Sequence, residues 1–154
     1  MDDVTGCFVC DVVHGRGAVP GGLIHRTRYW HVDHCVGPLG VGTLIVKPSR
    51  HVVHVADLSD DEAEELGSVL RDAARVTTAI THPEQVYVTL WSHGGGRPGH
   101  IHYVVQPITR NVMEQYGHGS SVRPAMFAGN RTPNADEVEA FAESARTMFR
   151  SAAP

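Results

Sequence analysis

Near the middle of the chain, Gly94-Gly95-Gly96-Arg97-Pro98-Gly99 leads into His100-Ile101-His102-Tyr103-Val104-Val105-Gln106-Pro107. Side chains alternate along an extended strand, so His100, His102, Val104 and Gln106 share one face while Ile101, Tyr103 and Val105 occupy the other. The second set belongs in a core. On the first, two imidazoles about 7 Å apart stand beside a loop whose glycines leave the backbone open to approach. A neutral imidazole nitrogen attacks phosphorus and forms a labile phosphoramidate, which makes His102 a candidate nucleophile for a two-step transfer. Its other ring nitrogen must be held, most simply by a backbone carbonyl, to fix the tautomer. Backbone N–H groups at Gly95 and Gly96 form a candidate anion nest, and Arg97 is placed for a bidentate contact with phosphate. The plainer alternatives are a half-buried strand with two surface histidines and, at Arg97, a solvated loop charge.

At the front of the chain, Cys7-Phe8-Val9-Cys10 has the spacing that lets two thiolates grip one zinc ion. A structural zinc site wants four ligands, and the residues available for the second half are His51, after a strand, and His100. In His51-Val52-Val53-His54 either imidazole is a candidate. A redox pair fits less well because the surrounding pattern is not βαβ, and two buried free thiols are the remaining alternative. Cys35 is left over.

The elements that must position these residues follow from periodicity. Leu23 to Arg26, Trp30 to Cys35 and Gly42 to Lys47 read as short strands of an antiparallel meander. Ser59 and Glu62 form a capping box that opens a long amphipathic helix, whose stripe of Ala63, Leu66, Leu70, Ala73, Thr77 and Ile80 runs until His82-Pro83. Val86 to Trp91 and Ile101 to Val105 read as the last strands. Asn134 to Glu137 starts a terminal helix with Val138, Phe141, Ala145, Met148 and Phe149 on its apolar side. Thr109 to Thr132 carries no usable periodicity. The whole predicts an α+β domain spanning residues 1–154, with a front knuckle over 1–21, a sheet of about five antiparallel strands, a long helix packed on it, and a C-terminal extension over 108–154.

Composition narrows the function classes. The 154 residues suit one domain. A formal charge of -4 with 19% charged residues gives no electrostatic reason to expect a nucleic-acid partner. Eleven histidines against thirteen Lys and Arg point instead to site chemistry. No apolar run reaches the length of a membrane span, and the acidic start Met1-Asp2-Asp3 lacks the features of a secretory signal. A cytoplasmic protein is expected.

Taken together, Cys7-x-x-Cys10, Arg50-His51 after a strand, Leu58-Ser59-Asp60-Asp61-Glu62 opening the helix, and His100 to Pro107 in the last strand resemble a histidine-triad (HIT) protein over roughly residues 7 to 107. The resemblance implies a nucleotide-binding α+β fold, usually a homodimer, that hydrolyses or transfers nucleotidyl groups through a histidine-bound intermediate. It also implies structural zinc on Cys7, Cys10, His51 and His100, with His102 as the nucleophile and Asp33 as the acid that meets the ribose. Zinc on His100 would then steady the strand that presents His102 two residues later.

The chain departs from that pattern in three places. Val104 stands where the triad has its third histidine and offers no proton or hydrogen bond. Gln106, one pleat further on, is the candidate partial substitute at the phosphate. Val41-Gly42-Thr43 and Gly96-Arg97-Pro98 replace two further polar segments. The rival readings are therefore a zinc-stabilised nucleotide-binding module that has lost its chemistry and, further off, a zinc domain that mediates protein association. His14, His25, His31, His34, His54, His82, His93 and His118 are expected to be surface or packing residues.

Overall fold

The computed structural model describes residues 3–151, so Met1 and Asp2 of the acidic start and the last three residues lie outside it. In chain order the elements are α1 Phe8–Val13, β1 Leu23–Arg26, β2 Trp30–His34, β3 Leu44–Pro48, α2 Asp60–Thr81, β4 Gln85–Gly94, β5 Arg97–Ile108, α3 Arg110–Tyr116, α4 Val122–Gly129 and α5 Ala135–Ser151. The five strands form one antiparallel sheet in the order β1-β2-β3-β5-β4. This is the α+β architecture expected from the sequence. β3 and β5 become neighbours because α2 and β4 lie between them in the chain and β4 takes the edge.

One face of the sheet makes the main core. Trp30, Val32, Leu44, Val46 and Val105 pack there against Val69, Ala73 and Val76 of α2 and against Phe141, Ala142, Ala145 and Phe149 of α5. Both helices begin with reciprocal caps. Ser59 Oγ accepts from the Glu62 N–H at 3.3 Å while Glu62 Oε2 accepts from the Ser59 N–H at 2.7 Å. Asn134 and Glu137 repeat the pattern at 2.9 and 3.0 Å. Each exchange satisfies donors that a helix start leaves unpaired. α2 stops at His82, which adopts the left-handed conformation with φ 47° before Pro83.

The other face carries His31 and Asp33 of β2, Ile45 and Lys47 of β3, His102, Val104 and Gln106 of β5, and Thr89 and Trp91 of β4, as the strand register requires. Its lower half is not open. The stretch without periodicity folds into α3, a single 3-10 turn at Gly119–Ser121, and α4. Val122 and Met126 then close over Leu39, Val104 and Ile108 as a second core cluster. These helices are short, of seven and eight residues. A one- or two-turn helix does not repeat long enough to show a period, and tertiary packing supplies its stability.

One local expectation is refined and one corrected. The front knuckle is helical at the cysteine pair: Cys7 is the N-cap of α1, its sulfur accepting from the Cys10 N–H, and Cys10 lies within that helix, while residues 14–22 that follow it are irregular. The glycine-rich stretch is not a broad loop. β4 and β5 run almost to its centre and leave only Gly95-Gly96 between them. Their φ angles of 59° and 78° are those of two left-handed positions, which a tight two-residue hairpin turn requires.

Candidate functional site

Three separate segments bring four ligand-type side chains together. Cys7 and Cys10 come from the start of α1, His51 from the loop after β3, and His100 from β5; one donor atom from each lies within 4.8 Å of all the others. Cys10 Sγ is 3.2 Å from His51 Nδ1 and 3.5 Å from His100 Nδ1, and Cys7 Sγ is 3.9 Å from His100 Nδ1. A tetrahedral zinc ion with its usual bond lengths sets sulfur and nitrogen ligands roughly 3.5 Å apart, so the donor set fits. His51 fills this place and not His54, which is exposed at the start of a 3-10 turn.

The surroundings suit ligation. His100 Nε2 is 3.1 Å from the Pro48 carbonyl, so the ring donates there and turns Nδ1 towards the sulfurs. Burial, with the neighbouring His51 adding to it, lowers the His100 pKa to about 4, which keeps the ring neutral at ordinary pH. Burial pushes the Cys10 thiol up to about 11, so the thiolate form needs a cation beside it.

Two devices bring His51 and His100 to the cysteines. Arg50 forks onto the buried Glu62 carboxylate at 2.7 and 2.8 Å, a bidentate contact that ties the loop to the start of α2. Burial alone would raise the Glu62 pKa, but Arg50 and the Ser59 N–H hold it below the usual range. The second device is a bulge. Trp91 pairs with His102 and His93 with Pro98, so three residues of β5, Gly99 to Ile101, face the single residue Ser92 of β4. Freed from β4 there, Ile101 N–H donates to the Val52 carbonyl at 2.8 Å and carries His100 towards His51.

Two residues beyond His100, the His102 ring borders two cavities. Its Nδ1 is 3.2 Å from the His100 carbonyl, which accepts the N–H and leaves Nε2 with its lone pair. Burial lowers the His102 pKa, favouring the neutral ring that acts as a nucleophile. Trp91 meets the ring edge-on at 6.1 Å between centroids and is itself fixed by Phe127 at 5.6 Å and the Arg123 guanidinium at 5.7 Å. The larger cavity, about 630 Å³, lies on the metal side and is bordered by Cys7, His51, His93, Arg97, His100 and His102. The smaller, about 270 Å³, lies on the sheet side and is bordered by Asp33, Lys47, Trp91, His102, Val104 and Phe127 among others.

The structure therefore brings together Cys7, Cys10, His51 and His100, and places Arg97 and Asp33 in the two separate cavities that His102 borders. Gly95 and Gly96 form the exposed hairpin tip and border neither cavity, although Gly94 and Gly99 line the larger one. Gln106 is corrected more firmly. Fully buried, it donates to the Leu39 carbonyl at 3.3 Å and accepts from Arg123 Nε at 2.9 Å, so the α4 cover removes it from any phosphate. Val104 likewise has no exposed surface. Sequence reasoning missed Lys47, Trp91 and Phe127 as site residues; His93 is exposed, as expected, and also borders the larger cavity. Opposite charges at Asp33 and Lys47 on pairing strands were the available signal for one of these. Phe127 lies in the stretch without periodicity and gave none.

No family model matches the chain, and no curated protein matches it in sequence. Solved structures are similar in fold. A zinc-bound histidine triad family protein from Mycobacterium smegmatis superposes with a TM-score of 0.69 at 19% identity, over 96% of this chain and 98% of that one. A hypothetical histidine triad nucleotide-binding protein from Sulfolobus tokodaii gives 0.70 at 14% identity, over 94% and 93%. Diadenosine triphosphate hydrolase from Plasmodium falciparum gives 0.64 at 12% identity, over 88% and 80%. The fold is that of the histidine-triad proteins, and the Cys7, Cys10, His51 and His100 cluster fits a metal site.

Proposed function

We propose that the protein is a zinc-stabilised enzyme of histidine-triad type, acting at the α-phosphate of a small nucleotide through a nucleotidyl-histidine intermediate. The observation that carries this reading is the His102 ring, held through Nδ1 by the His100 carbonyl and set between two cavities with no hydrogen bond to Nε2 among the described residues. The Nε2 lone pair attacks phosphorus, the bond to the leaving group breaks and its electron pair departs with that group, and the nucleotidyl unit rests on Nε2. Water or another acceptor then takes the phosphorus, loses its proton, and frees the imidazole. Arg97, at the mouth of the larger cavity, supplies positive charge to the phosphate oxygens as negative charge gathers there. Cys7, Cys10, His51 and His100 would hold a zinc ion, which would supply structural anchoring to the His100 peptide, whose carbonyl orients His102.

Away from the reacting atoms, the segment after β5 completes the second core cluster, which favours a single domain over a core with an appended extension. Val88 and Leu90 on the edge strand β4 are 43% and 39% exposed, and an apolar edge of this kind favours pairing with a second copy. Among the described residues, no helix is long and apolar enough to cross a membrane.

One observation favours a second reading, nucleotide binding without chemistry. Val104, packed into the second core cluster and walling the smaller cavity beside His102, places no proton donor beside a leaving group. The two readings separate on mixing zinc-loaded wild type and His102→Ala with nucleoside phosphoramidates and following release of the amine. Turnover in wild type that disappears in the variant supports the enzyme. Binding to both proteins with turnover in neither supports the module.

A further inference from the structure

Two charged side chains that this chemistry leaves unused lie together in the smaller cavity. β2 and β3 pair Asp33 with Ile45 and His31 with Lys47, so Asp33 and Lys47 are diagonal neighbours on one face of the sheet. Lys47 Nζ donates to Asp33 Oδ2, and the two side chains are only 4% and 5% exposed. Oδ1 of Asp33 has no protein donor among the described residues. Around the pair the lining is hydrocarbon and aromatic, from Ile45, Trp91, Val104 and Phe127.

Stability gives no account of this pair. A buried ion pair replaced by well-packed hydrocarbon of similar volume is often neutral or more stable, and this one has Ile45 and Val104 beside it as well as His31 and His102 on the same face. The pair does give the cavity an acceptor and a donor side by side. With His102 on its border, the cavity receives whatever is attached to the phosphorus that Nε2 attacks.

We propose, resting on the nucleotide reading above, that Asp33 and Lys47 read the edge of the nucleobase and make the site selective for guanine. This moves Asp33 from the ribose to the base. A carboxylate only accepts and an ammonium only donates. Guanine sets two donors, N1–H and the 2-amino group, beside one acceptor, O6; adenine sets one donor group beside N1, and uracil one N–H between two carbonyls. The two guanine donors meet Asp33 and O6 meets Lys47, while the ring plane lies among the apolar residues. Adenine and uracil each give the pair one donor and one acceptor, whereas guanine adds a second N–H to the carboxylate, and that extra charge-assisted hydrogen bond is what discriminates.

The test is calorimetric binding of guanosine, inosine, adenosine and uridine 5′-monophosphates to the zinc-loaded protein. Wild type is expected to bind guanosine monophosphate on the order of 10- to 100-fold more tightly than adenosine monophosphate, with inosine monophosphate, which lacks the second N–H, close to adenosine monophosphate. In Asp33→Leu/Lys47→Met that preference is expected to vanish while thermal stability is kept. Should the double variant fail to fold, Asp33→Asn, which keeps the volume and exchanges one acceptor oxygen for a donor, is expected to weaken guanosine monophosphate selectively. Equal affinity for all four nucleotides in wild type, or a guanine preference that survives these substitutions, overturns the proposal and leaves the nucleotide reading standing. Binding of none of them overturns both.

Discussion

Four alternate residues on one face of β5 meet two fates. At the upper end His100 is drawn to the cysteines and His102 borders two cavities, whereas at the lower end Gln106 is sealed under α4 and Val104 is packed into the second core cluster, where it only walls the smaller cavity. The strand pattern treats all four alike. What separates them is what lies over the sheet: α1 and the loop carrying His51 above, Val122, Arg123 and Met126 below. The difference teaches that an altered triad position is not automatically a gap in an active site. Here the third position has become part of a core.

Substitutions along this strand sharpen the contrast. His102→Ala is expected to lower nucleotidyl transfer by at least about 1000-fold, measured by single-turnover kinetics, while zinc content and melting temperature stay close to wild type. Cys10→Ser, or removal of zinc by a chelator, is expected to lose metal and to destabilise the fold by roughly 3 kcal/mol or more, read by metal analysis and denaturant unfolding. Cys10→Ser protein that remains folded is also expected to transfer more slowly, because the His100 carbonyl that orients His102 is no longer anchored.

The lower half responds oppositely. Gln106→Leu leaves the Arg123 Nε–H without its acceptor, while the Leu39 carbonyl keeps the Thr43 hydroxyl at 2.8 Å, and is expected to cost about 1–3 kcal/mol, with nucleotide affinity unchanged. Val104→His, which restores the triad in sequence, is expected to destabilise by about 1–3 kcal/mol through overpacking of a fully buried position, without raising the transfer rate. A faster enzyme from Val104→His would break the comparison.

The smallest expected effect concerns pH. Burial, with Arg26 next in weight, lowers the His31 pKa from 6.5 to about 4. Between those values the unfolded chain binds more protons than the native one, so stability is full above pH 6.5 and falls as the pH drops towards 4. His31→Asn is expected to flatten that slope, and an unchanged slope by denaturant titration would remove His31 from the acid response.

The sequence was most legible where a pattern repeated or a spacing was short. The α2 stripe and its capping box, the terminal helix start at Asn134 and the Cys7–Cys10 half of the metal set were readable, because each rests on local geometry or on ligand chemistry, whereas the choice of His51 over His54 came only from the family resemblance. Strand alternation separated the two faces of β5 but said nothing about what covers each. That depended on α3 and α4, whose seven and eight residues are too short for a visible period. The bulge opposite Ser92 and the diagonal meeting of Asp33 with Lys47 both depend on strand register, which one strand read alone does not contain.

The most direct test of the central claim is intact-mass analysis of the zinc-loaded protein mixed with a nucleoside phosphoramidate and quenched within the first turnover, followed by peptide mapping. The account predicts a gain of one nucleotidyl unit located on His102 and absent from His102→Ala. Turnover with no such adduct in wild type, or an adduct on any other residue, would contradict it.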